Sequence, residues 1–261
     1  MTKIDEINKL LILSIDVVSK AADLCKSFKS SEKKIVDIVE DTRELKIIAD
    51  SILEEFLVTR LGKAGFDILS EEGGEIRGSN RSEFRFIIDP LDGSYNFHRE
   101  IGPCAISVAL WENELPIFGV IYSILDDCLI WGGKDLGVHT SIGGKLRVSN
   151  KKDLNQSVLY TGFPARASID DHYFKDQFWR FAGAFSKIRM IGSAAISLLS
   201  VASGRSECYR ETGIMVWDVA AGLALVQGAG GVVQFKFLSQ QHSMDVLATN
   251  KVLASELQLV E

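Results

Sequence analysis

The most informative part of the sequence reads Ile88-Asp89-Pro90-Leu91-Asp92-Gly93-Ser94-Tyr95-Asn96-Phe97. The apolar residues that lead into it predict a buried strand, which delivers Asp89 at its carboxyl end, where Pro90 fixes the backbone. Asp92 returns three residues later on the same side of a tight turn. Gly93 permits a close backbone approach, and Ser94 can begin a short helix. The free N–H groups of such a helix start form a seat for a phosphate oxygen.

The two carboxylates of this stretch imply a cation. Two negative groups beside a phosphate seat repel the phosphate unless a cation lies between them. Magnesium fits best, because it is a hard ion that takes carboxylate oxygens, a backbone carbonyl, water and substrate phosphate. A plain turn is the alternative for the pentapeptide Asp89–Gly93 taken alone, since Asp, Pro and Gly are the usual turn residues.

Two further acidic segments favour the metal site over a plain turn. The segment Leu69–Gly74 again places acidic residues, Glu71 and Glu72, at the end of a predicted strand. The segment Tyr209–Gly222 places Asp218 at a helix start, followed by small residues that let a helix pack tightly. These two segments make a metal site a better interpretation than a plain turn.

Taken together, these segments resemble the inositol monophosphatase family, within the lithium-sensitive, magnesium-dependent phosphomonoesterases. That superfamily also includes fructose-1,6-bisphosphatases and phosphoadenosine phosphate phosphatases. Asp89–Phe97 meets the first signature of the family in full. Trp217–Gly222, followed by the pair Gly230-Gly231, meets the second signature, and the likeness runs from about Asp50 to Asn250.

The resemblance implies that matching residues hold two or three magnesium ions. The first ion would have Glu71, Asp89 and the carbonyl of Leu91 as ligands. The second ion would have Asp89, Asp92 and Asp218 as ligands. A metal-bound water, made acidic by the ion, would attack phosphorus in line, and the second metal would stabilise the leaving alkoxide.

The resemblance also implies catalytic roles for Asp50, Glu71 and Ser94. The Ser94 hydroxyl would help to position the attacking water, and serine in place of the more common threonine keeps that hydroxyl. Asp50 would be the carboxylate near this water and near a third, weaker metal. Two alternatives stay open for Asp50, namely a solvent-facing helix charge and a different alignment in which Val39–Arg43 takes its place.

The substrate itself is expected to contact two groups of residues. The backbone N–H groups of the Gly93 turn would hold the phosphate. A helix start with small side chains would admit a polyol, and Glu211 would accept hydrogen bonds from its hydroxyls. Ser193 is at the same time a predicted N-cap. The substrate contacts that the resemblance implies are Asp92, Gly93, Ser94, Gly192, Ser193, Ala194, Glu211 and Asp218.

We therefore expect magnesium-dependent hydrolysis of a small phosphate monoester, with inositol monophosphate as the leading substrate. The first alternative is the same chemistry on phosphoadenosine phosphate or fructose 1,6-bisphosphate, which needs a second basic subsite. The sequence offers no clear cluster for it beyond Arg166, Arg189, Arg205 and Arg210. The second alternative is a catalytically idle homologue that binds metal and phosphate, against which the complete acidic set argues, since unused buried carboxylates repel one another.

Two departures from the family pattern leave the substrate open. The residues His98–Glu100 carry more charge than the family tends to have before Gly102-Pro103. The segment Val232–Asp245 is short and lacks the Asp and Gly expected in the final hairpin. Neither departure removes a proposed metal ligand.

Composition limits the partners and the location. The chain has 261 residues, of which 46% are hydrophobic and 25% charged, and its net charge is −6. An acidic chain is unsuited to gripping a nucleic acid polymer or an anionic membrane. The longest uncharged stretch, Val219–Phe235, is too polar to span a bilayer. The N-terminus lacks the basic start of a signal peptide, and four scattered cysteines predict reduced thiols in a cytoplasmic protein.

The hydrophobic pattern predicts an α+β fold. It predicts two N-terminal helices, the second with Leu45 and Ile48 on its buried face, and then a long run of strands. Helix–strand alternation resumes near residue 146 and ends in a closing helix. We expect an N-terminal α+β subdomain at residues 1–145 and a C-terminal α/β subdomain at residues 146–261. The resemblance implies an αβαβα layering, with mixed sheets, an antiparallel middle and helices between and outside the sheets, and a homodimer.

Overall fold

The computed structural model of the protein describes residues 2–28, 35–38, 45–163 and 172–259. Within these ranges the α-helices are α1 (Lys3–Lys26), α2 (Ile48–Leu61), α3 (Ser94–Arg99), α4 (His172–Ala182), α5 (Ala194–Ala202) and α6 (Val216–Gly228). The first strands are β1 (Ile35–Ile38), β2 (Leu45–Ile47), β3 (Asp67–Ser70), β4 (Gly74–Ile76), β5 (Phe84–Asp92), β6 (Ala105–Glu112) and β7 (Leu115–Ser123). The remaining strands are β8 (Cys128–Gly133), β9 (Gly137–Thr140), β10 (Val158–Thr161), β11 (Lys187–Arg189), β12 (Cys208–Met215), β13 (Val232–Phe237) and β14 (Ser243–Thr249).

The larger sheet has seven strands in the order β4-β3-β5-β6-β7-β8-β9. Strands β3 and β5 are parallel, and every other neighbouring pair is antiparallel. The predicted antiparallel middle is therefore confirmed as the run from β5 to β9. The strand β5 is almost entirely buried and ends at the two aspartates of the first signature.

The smaller sheet has five strands in the order β11-β10-β12-β14-β13. Strand β10 runs parallel to β11 and to β12, while β14 runs antiparallel to β12 and to β13. Both large sheets are thus mixed. The first ends at Thr140 and the second begins at Val158, and the predicted division between residues 145 and 146 stays a prediction.

Helices cover both sheets and fill the space between them. Helices α1 and α2 pack on one face of the larger sheet in a single apolar cluster. Helices α5 and α6 lie between the two sheets, in a second cluster to which both sheets contribute. Helix α4 and the C-terminal residues cover the outer face of the smaller sheet. The five-layer αβαβα arrangement is confirmed.

The two central helices are buried on nearly every side, and their starts are polar. Helix α5 buries eight of its nine residues and α6 nine of its thirteen. An all-round apolar helix is stable only between other layers. The starts of both helices lie near the carboxyl end of β5.

Several local expectations are corrected. Leu45 lies in β2, paired with β1, and is not part of the second helix, because helical spacing and a short apolar strand look alike over three residues. The chain closes on the short 3₁₀ turn Leu253–Ser255, where a helix was predicted. The alternative alignment at Val39–Arg43, and Arg166, lie outside the described residues.

The structure also bears on the expectations about the cysteines and about membrane-spanning helices. All four cysteines are buried and free, as predicted: Cys25, Cys104, Cys128 and Cys208. Among the described helices, none is both long enough and apolar enough to cross a bilayer.

Candidate active site

A cavity of about 440 Å³ opens where β5 ends and where α3, α5 and α6 begin. Every predicted site residue except Asp50 lines it. These residues are Glu71, Asp89, Leu91, Asp92, Gly93, Ser94, Gly192, Ser193, Ala194, Glu211 and Asp218. The structure thus brings together positions that are up to 147 residues apart, from Glu71 to Asp218.

Three aspartates form the centre of this cavity. Asp89 and Asp92 come from the end of β5, and Asp218 comes from the first turn of α6. One carboxylate oxygen of each lies within 4.8 Å of the others. Three like charges at this separation are unfavourable unless a cation or protons offset them.

Asp89 supplies the clearest sign of a cation. Its Oδ1 accepts a hydrogen bond from the Leu91 N–H at 3.0 Å. Its Oδ2 is buried and receives no hydrogen bond from an N–H or hydroxyl group of the described residues. Burial raises the pKa of Asp89 well above its usual value, and the charges of Glu71, Asp92 and Asp218 raise it further. A buried carboxylate oxygen without a donor is costly, and a cation would satisfy it.

Glu71 lines the cavity beside Asp89, and the two carboxyls interact through a side-chain hydrogen bond. The residue as a whole is exposed to solvent. Desolvation of its carboxyl raises the pKa of Glu71 well above its usual value, and the charges of Asp218 and Asp50 add to the rise. The acidic cluster therefore includes a fourth carboxylate.

Asp92 differs from Asp89 because donors surround it. The Ser193 hydroxyl and the Ala195 N–H, at 2.9 Å, donate to its Oδ2. The Ala194 N–H donates to Oδ1 at 3.1 Å. Burial raises the pKa of Asp92 to about 6, although these three hydrogen bonds act in the opposite direction. Asp92 thereby ties the end of β5 to the start of α5.

Asp50 is buried, so the alternative of a solvent-facing helix charge is wrong. It is 2% exposed. Its Oδ2 accepts from the Ile47 N–H at 2.8 Å, and its Oδ1 lies 2.8 Å from Ser94 Oγ. Ser94 Oγ also lies 2.8 Å from the Leu91 carbonyl, so its single proton can go to either acceptor. Asp50 thus contacts the cavity through the Ser94 hydroxyl.

The turn after Asp92 requires glycine. Gly93 has a φ of 85°, in the left-handed region. A Cβ there would also come within 3.0 Å of the Gly192 carbonyl. The turn at Gly93 and the segment before α5 are therefore in close contact.

Glu211 also lines the cavity. It is 8% exposed, and the Tyr209 hydroxyl donates to its Oε2 at 2.9 Å. Burial raises the pKa of Glu211 to about 7. A Cβ on Gly162 would lie 2.2 Å from Oε2, so the carboxylate occupies the space that this glycine leaves.

Some functional residues were missed from the sequence. Tyr209 is two residues before Glu211 in β12, so the period of a strand places both on one face, and this signal was available. The cavity also has lining residues that the sequence argument did not select as site residues. They include Thr161, Gly162, Met190 and Trp217.

The residues present fit magnesium. The donor set consists of carboxylates and the Leu91 carbonyl, which are the oxygen ligands that hard cations prefer. The buried Asp89 Oδ2 lacks a hydrogen-bond donor among the described residues, which is the place such an ion would fill.

Comparisons with known proteins agree with this geometry. The family model described as the inositol monophosphatase family matches residues 4–258. A protein named Nus factor SuhB from Xylella fastidiosa is 40% identical over 186 residues, a match that covers 70% of this chain and 66% of that relative. A protein from Aquifex aeolicus named fructose-1,6-bisphosphatase/inositol-1-monophosphatase is 34% identical over 230 residues, covering 86% of this chain and 81% of the relative.

A solved structure extends the likeness to the fold. The crystal structure of the extragenic suppressor protein suhB from Bartonella henselae superposes with a TM-score of 0.82 at 28% identity, covering 95% of this chain and 96% of that one. The acidic cavity, the five layers and these matches lead to one conclusion. The chain belongs to the inositol monophosphatase family of phosphatases.

Proposed function

We propose that this protein hydrolyses a small phosphate monoester with the help of magnesium, and that inositol monophosphate is its leading substrate. The observation that carries the proposal is the buried Asp89 Oδ2, which lacks a hydrogen-bond donor and stands beside Asp92 and Asp218. Such a cluster is unfavourable at neutral pH unless a cation or protons offset its charge, and a cation does so while leaving the carboxylates ionised.

The proposed metal site uses the residues of the acidic cluster. Glu71, Asp89 and the Leu91 carbonyl would hold one ion, and Asp89, Asp92 and Asp218 a second. A third ion would lie near Asp50. Bound magnesium supplies an acidified water and charge compensation for the phosphate and the leaving oxygen.

The chain's own residues then bind and orient the phosphate and the water. Gly93 and Ser94 stand at the start of α3 and line the cavity, and their backbone N–H groups would donate to phosphate oxygens. The Ser94 hydroxyl lies between the Asp50 carboxylate and the Leu91 carbonyl. We assign to it the orientation of the attacking water, with Asp50 as the acceptor that keeps the hydroxyl in place.

The organic part of the substrate would lie against Gly192, Ser193 and Ala194 and reach Glu211. The ionised Glu211 carboxylate accepts hydrogen bonds, and Tyr209 fixes its orientation. A polyol with several hydroxyls is therefore the substrate class that this end of the cavity suits.

A substrate with a second phosphate is the alternative, and Arg210 favours it. The Arg210 guanidinium is half-buried and lies 4.2 Å from the ring centroid of Phe181. It lines a small cavity that shares Thr161, Gly162 and Glu211 with the main one. The name of the Aquifex aeolicus relative includes a bisphosphatase activity.

A role other than hydrolysis is the alternative from a different class. The Xylella fastidiosa relative is named a Nus factor, so an idle or doubly functional homologue remains a competing proposal. Lithium sensitivity, a cytoplasmic location and a homodimer complete the proposal, with the four buried free cysteines in favour of a reducing compartment.

A phosphate-release screen tests the proposal. The purified protein is assayed with magnesium, with EDTA and with magnesium plus lithium. The substrates are inositol 1-phosphate, fructose 1,6-bisphosphate and phosphoadenosine phosphate. We expect release that needs magnesium, falls with lithium and is fastest on inositol 1-phosphate.

The variant Asp89→Asn is the matched control, because it keeps the shape of the side chain and removes the charge. Release at the parental rate by this variant would refute the proposed metal site. Background release on every substrate by the parent protein would favour the idle homologue.

A further inference from the structure

Asn96 is a buried amide in α3 that neither the proposed metal site nor the proposed substrate contacts use. It is 8% exposed. Its side-chain nitrogen lies 2.8 Å from the Pro103 carbonyl oxygen, 2.7 Å from that of Ile191 and 3.3 Å from that of Gly192. An amide nitrogen has two hydrogens, so the two short contacts take them and the third carbonyl shares one. Asn96 thus joins α3 to a segment 95 residues away in sequence.

The two segments that Asn96 joins are in direct contact. A Cβ on Gly93 would lie 3.0 Å from the Gly192 carbonyl oxygen, and a Cβ on Gly192 would lie 3.1 Å from the Asn96 amide nitrogen. Neither glycine leaves room for a side chain, so the two segments approach closely. The hydrogen bonds of the Asn96 amide hold them together at this distance.

The residues just after this contact hold Asp92. The Ser193 hydroxyl and the N–H groups of Ala194 and Ala195 all donate to its carboxylate. A displacement of Gly192 would move these donors and with them Asp92. The hydrogen bonds of Asn96 are therefore linked to the position of Asp92.

We propose that Asn96 is a positioning residue that holds the segment Gly192–Ala194 at a fixed distance from the phosphate turn Gly93–Ser94. It acts without touching the substrate. This inference rests on the proposed function, since it assigns the organic part of the substrate to one segment and the phosphate to the other. Reactants held even about 1 Å from the productive geometry can lose about 100-fold in rate.

The first test compares Asn96→Ala with a matched control, Asn250→Ala. Asn250 is likewise buried, at 1% exposure, and its amide nitrogen donates to Ser149 Oγ and to the Lys151 carbonyl at 3.1 and 3.0 Å, outside the cavity. The values of kcat and KM are measured on inositol 1-phosphate and on p-nitrophenyl phosphate, which carries no polyol. Thermal unfolding of each variant is recorded as well.

We expect Asn96→Ala to lower kcat/KM on inositol 1-phosphate by about 10- to 100-fold. The loss on p-nitrophenyl phosphate should be smaller, because that substrate does not need the polyol contacts. Asn250→Ala should lower the unfolding temperature and leave the ratio between the two substrates unchanged. An unchanged ratio in Asn96→Ala, whether activity falls or not, would overturn the inference.

A second test does not depend on turnover. Hydrogen exchange of the backbone amides of Ala194 and Ala195 is compared among the parent and the two variants. We expect faster exchange in Asn96→Ala alone, because these amides bond to Asp92 only while the segment stays in place. Equal exchange in the parent and Asn96→Ala would overturn the inference. Absence of phosphate release by the parent would instead contradict the proposed function. The exchange result would still decide whether Asn96 is a positioning residue.

Discussion

Helices α2 and α6 begin in the same way, yet only one of them places a carboxylate in the cavity. In each helix the third residue is an aspartate that accepts from the backbone N–H of the residue before the helix. The distance is 2.8 Å from Ile47 N to Asp50 Oδ2 and 3.3 Å from Met215 N to Asp218 Oδ2. Asp50 is buried behind Ser94, whereas Asp218 lies with Asp89 and Asp92 around the cavity.

The difference shows that the surroundings, and not the capping geometry, set the chemistry of an aspartate. Both oxygens of Asp50 have a donor close by, so its negative charge is stabilised without a metal. Asp218 instead lies close to other carboxylates, and a cation would offset their negative charge. We therefore expect Asp218 to bind metal directly and Asp50 to act through Ser94.

The largest expected effect is a difference in kcat between variants of Asp218 and Asp50. Asp218→Asn should lower kcat by about 1000-fold or more, because it removes a ligand of the proposed metal site. Asp50→Asn should lower kcat by about 100-fold, because it disturbs the orientation of the Ser94 hydroxyl and the weaker third ion proposed near Asp50. Phosphate release over a range of magnesium concentrations measures both. The comparison fails if Asp50→Asn needs more magnesium and Asp218→Asn does not.

A smaller effect is expected on the free energy of unfolding, through the acidic cluster to which Asp218 belongs. The pKa of Asp92 is raised to about 6 from 3.8. The metal-free fold therefore binds more protons than the unfolded chain between about pH 4 and pH 6, and its free energy of unfolding falls as the pH rises through that window. Magnesium at about 100 times its Kd should restore about 2.7 kcal/mol. This gain should be larger near neutral pH than at about pH 5, where protons compete with the metal.

Thermal unfolding with magnesium and with EDTA checks this expectation. The parent and Asp50→Asn should gain about 5 °C or more from magnesium near neutral pH. Asp218→Asn should gain little. Equal gains in all three proteins would show that magnesium binds elsewhere.

The smallest expected effect is a change in KM that depends on Glu211, a residue of the cavity lining. Its pKa is raised to about 7, and its ionised form accepts hydrogen bonds from a polyol. The KM for inositol 1-phosphate should therefore fall as the pH rises through about 7. Glu211→Gln should raise KM by about 5-fold and flatten this dependence, with kcat nearly unchanged. A pH profile of KM that stays the same in the variant would remove Glu211 from the substrate contacts.

The motif-bearing parts of the site could be predicted from the sequence. Asp89 and Asp92 are separated by a Pro-containing turn, and Asp218 follows the apolar start of a helix, so local rules place each at the end of an element. Their convergence followed from the family resemblance. The layered fold and the antiparallel middle were predicted on the same grounds and are confirmed.

Other parts could not be predicted, because they depend on contacts between distant residues. The Asn96 amide bonds to Ile191 only after both sheets have packed. The burial of Asp50 depends on Ser94, which is 44 residues further along the chain. Short strands such as β4 and β11 have three residues each, too few for a periodic pattern, and only their neighbours in the sheet make them strands.

The central claim is that Asp89, Asp92 and Asp218 hold divalent cations together with a phosphate. The most direct measurement is anomalous diffraction from crystals of the protein soaked with Mn²⁺ and inorganic phosphate, beside crystals of Asp218→Asn. We predict strong anomalous peaks within ligand distance of Asp89 and Asp218 in the parent and the loss of at least one in the variant. Parent crystals saturated with Mn²⁺ that show no peak among these three carboxylates would contradict the account.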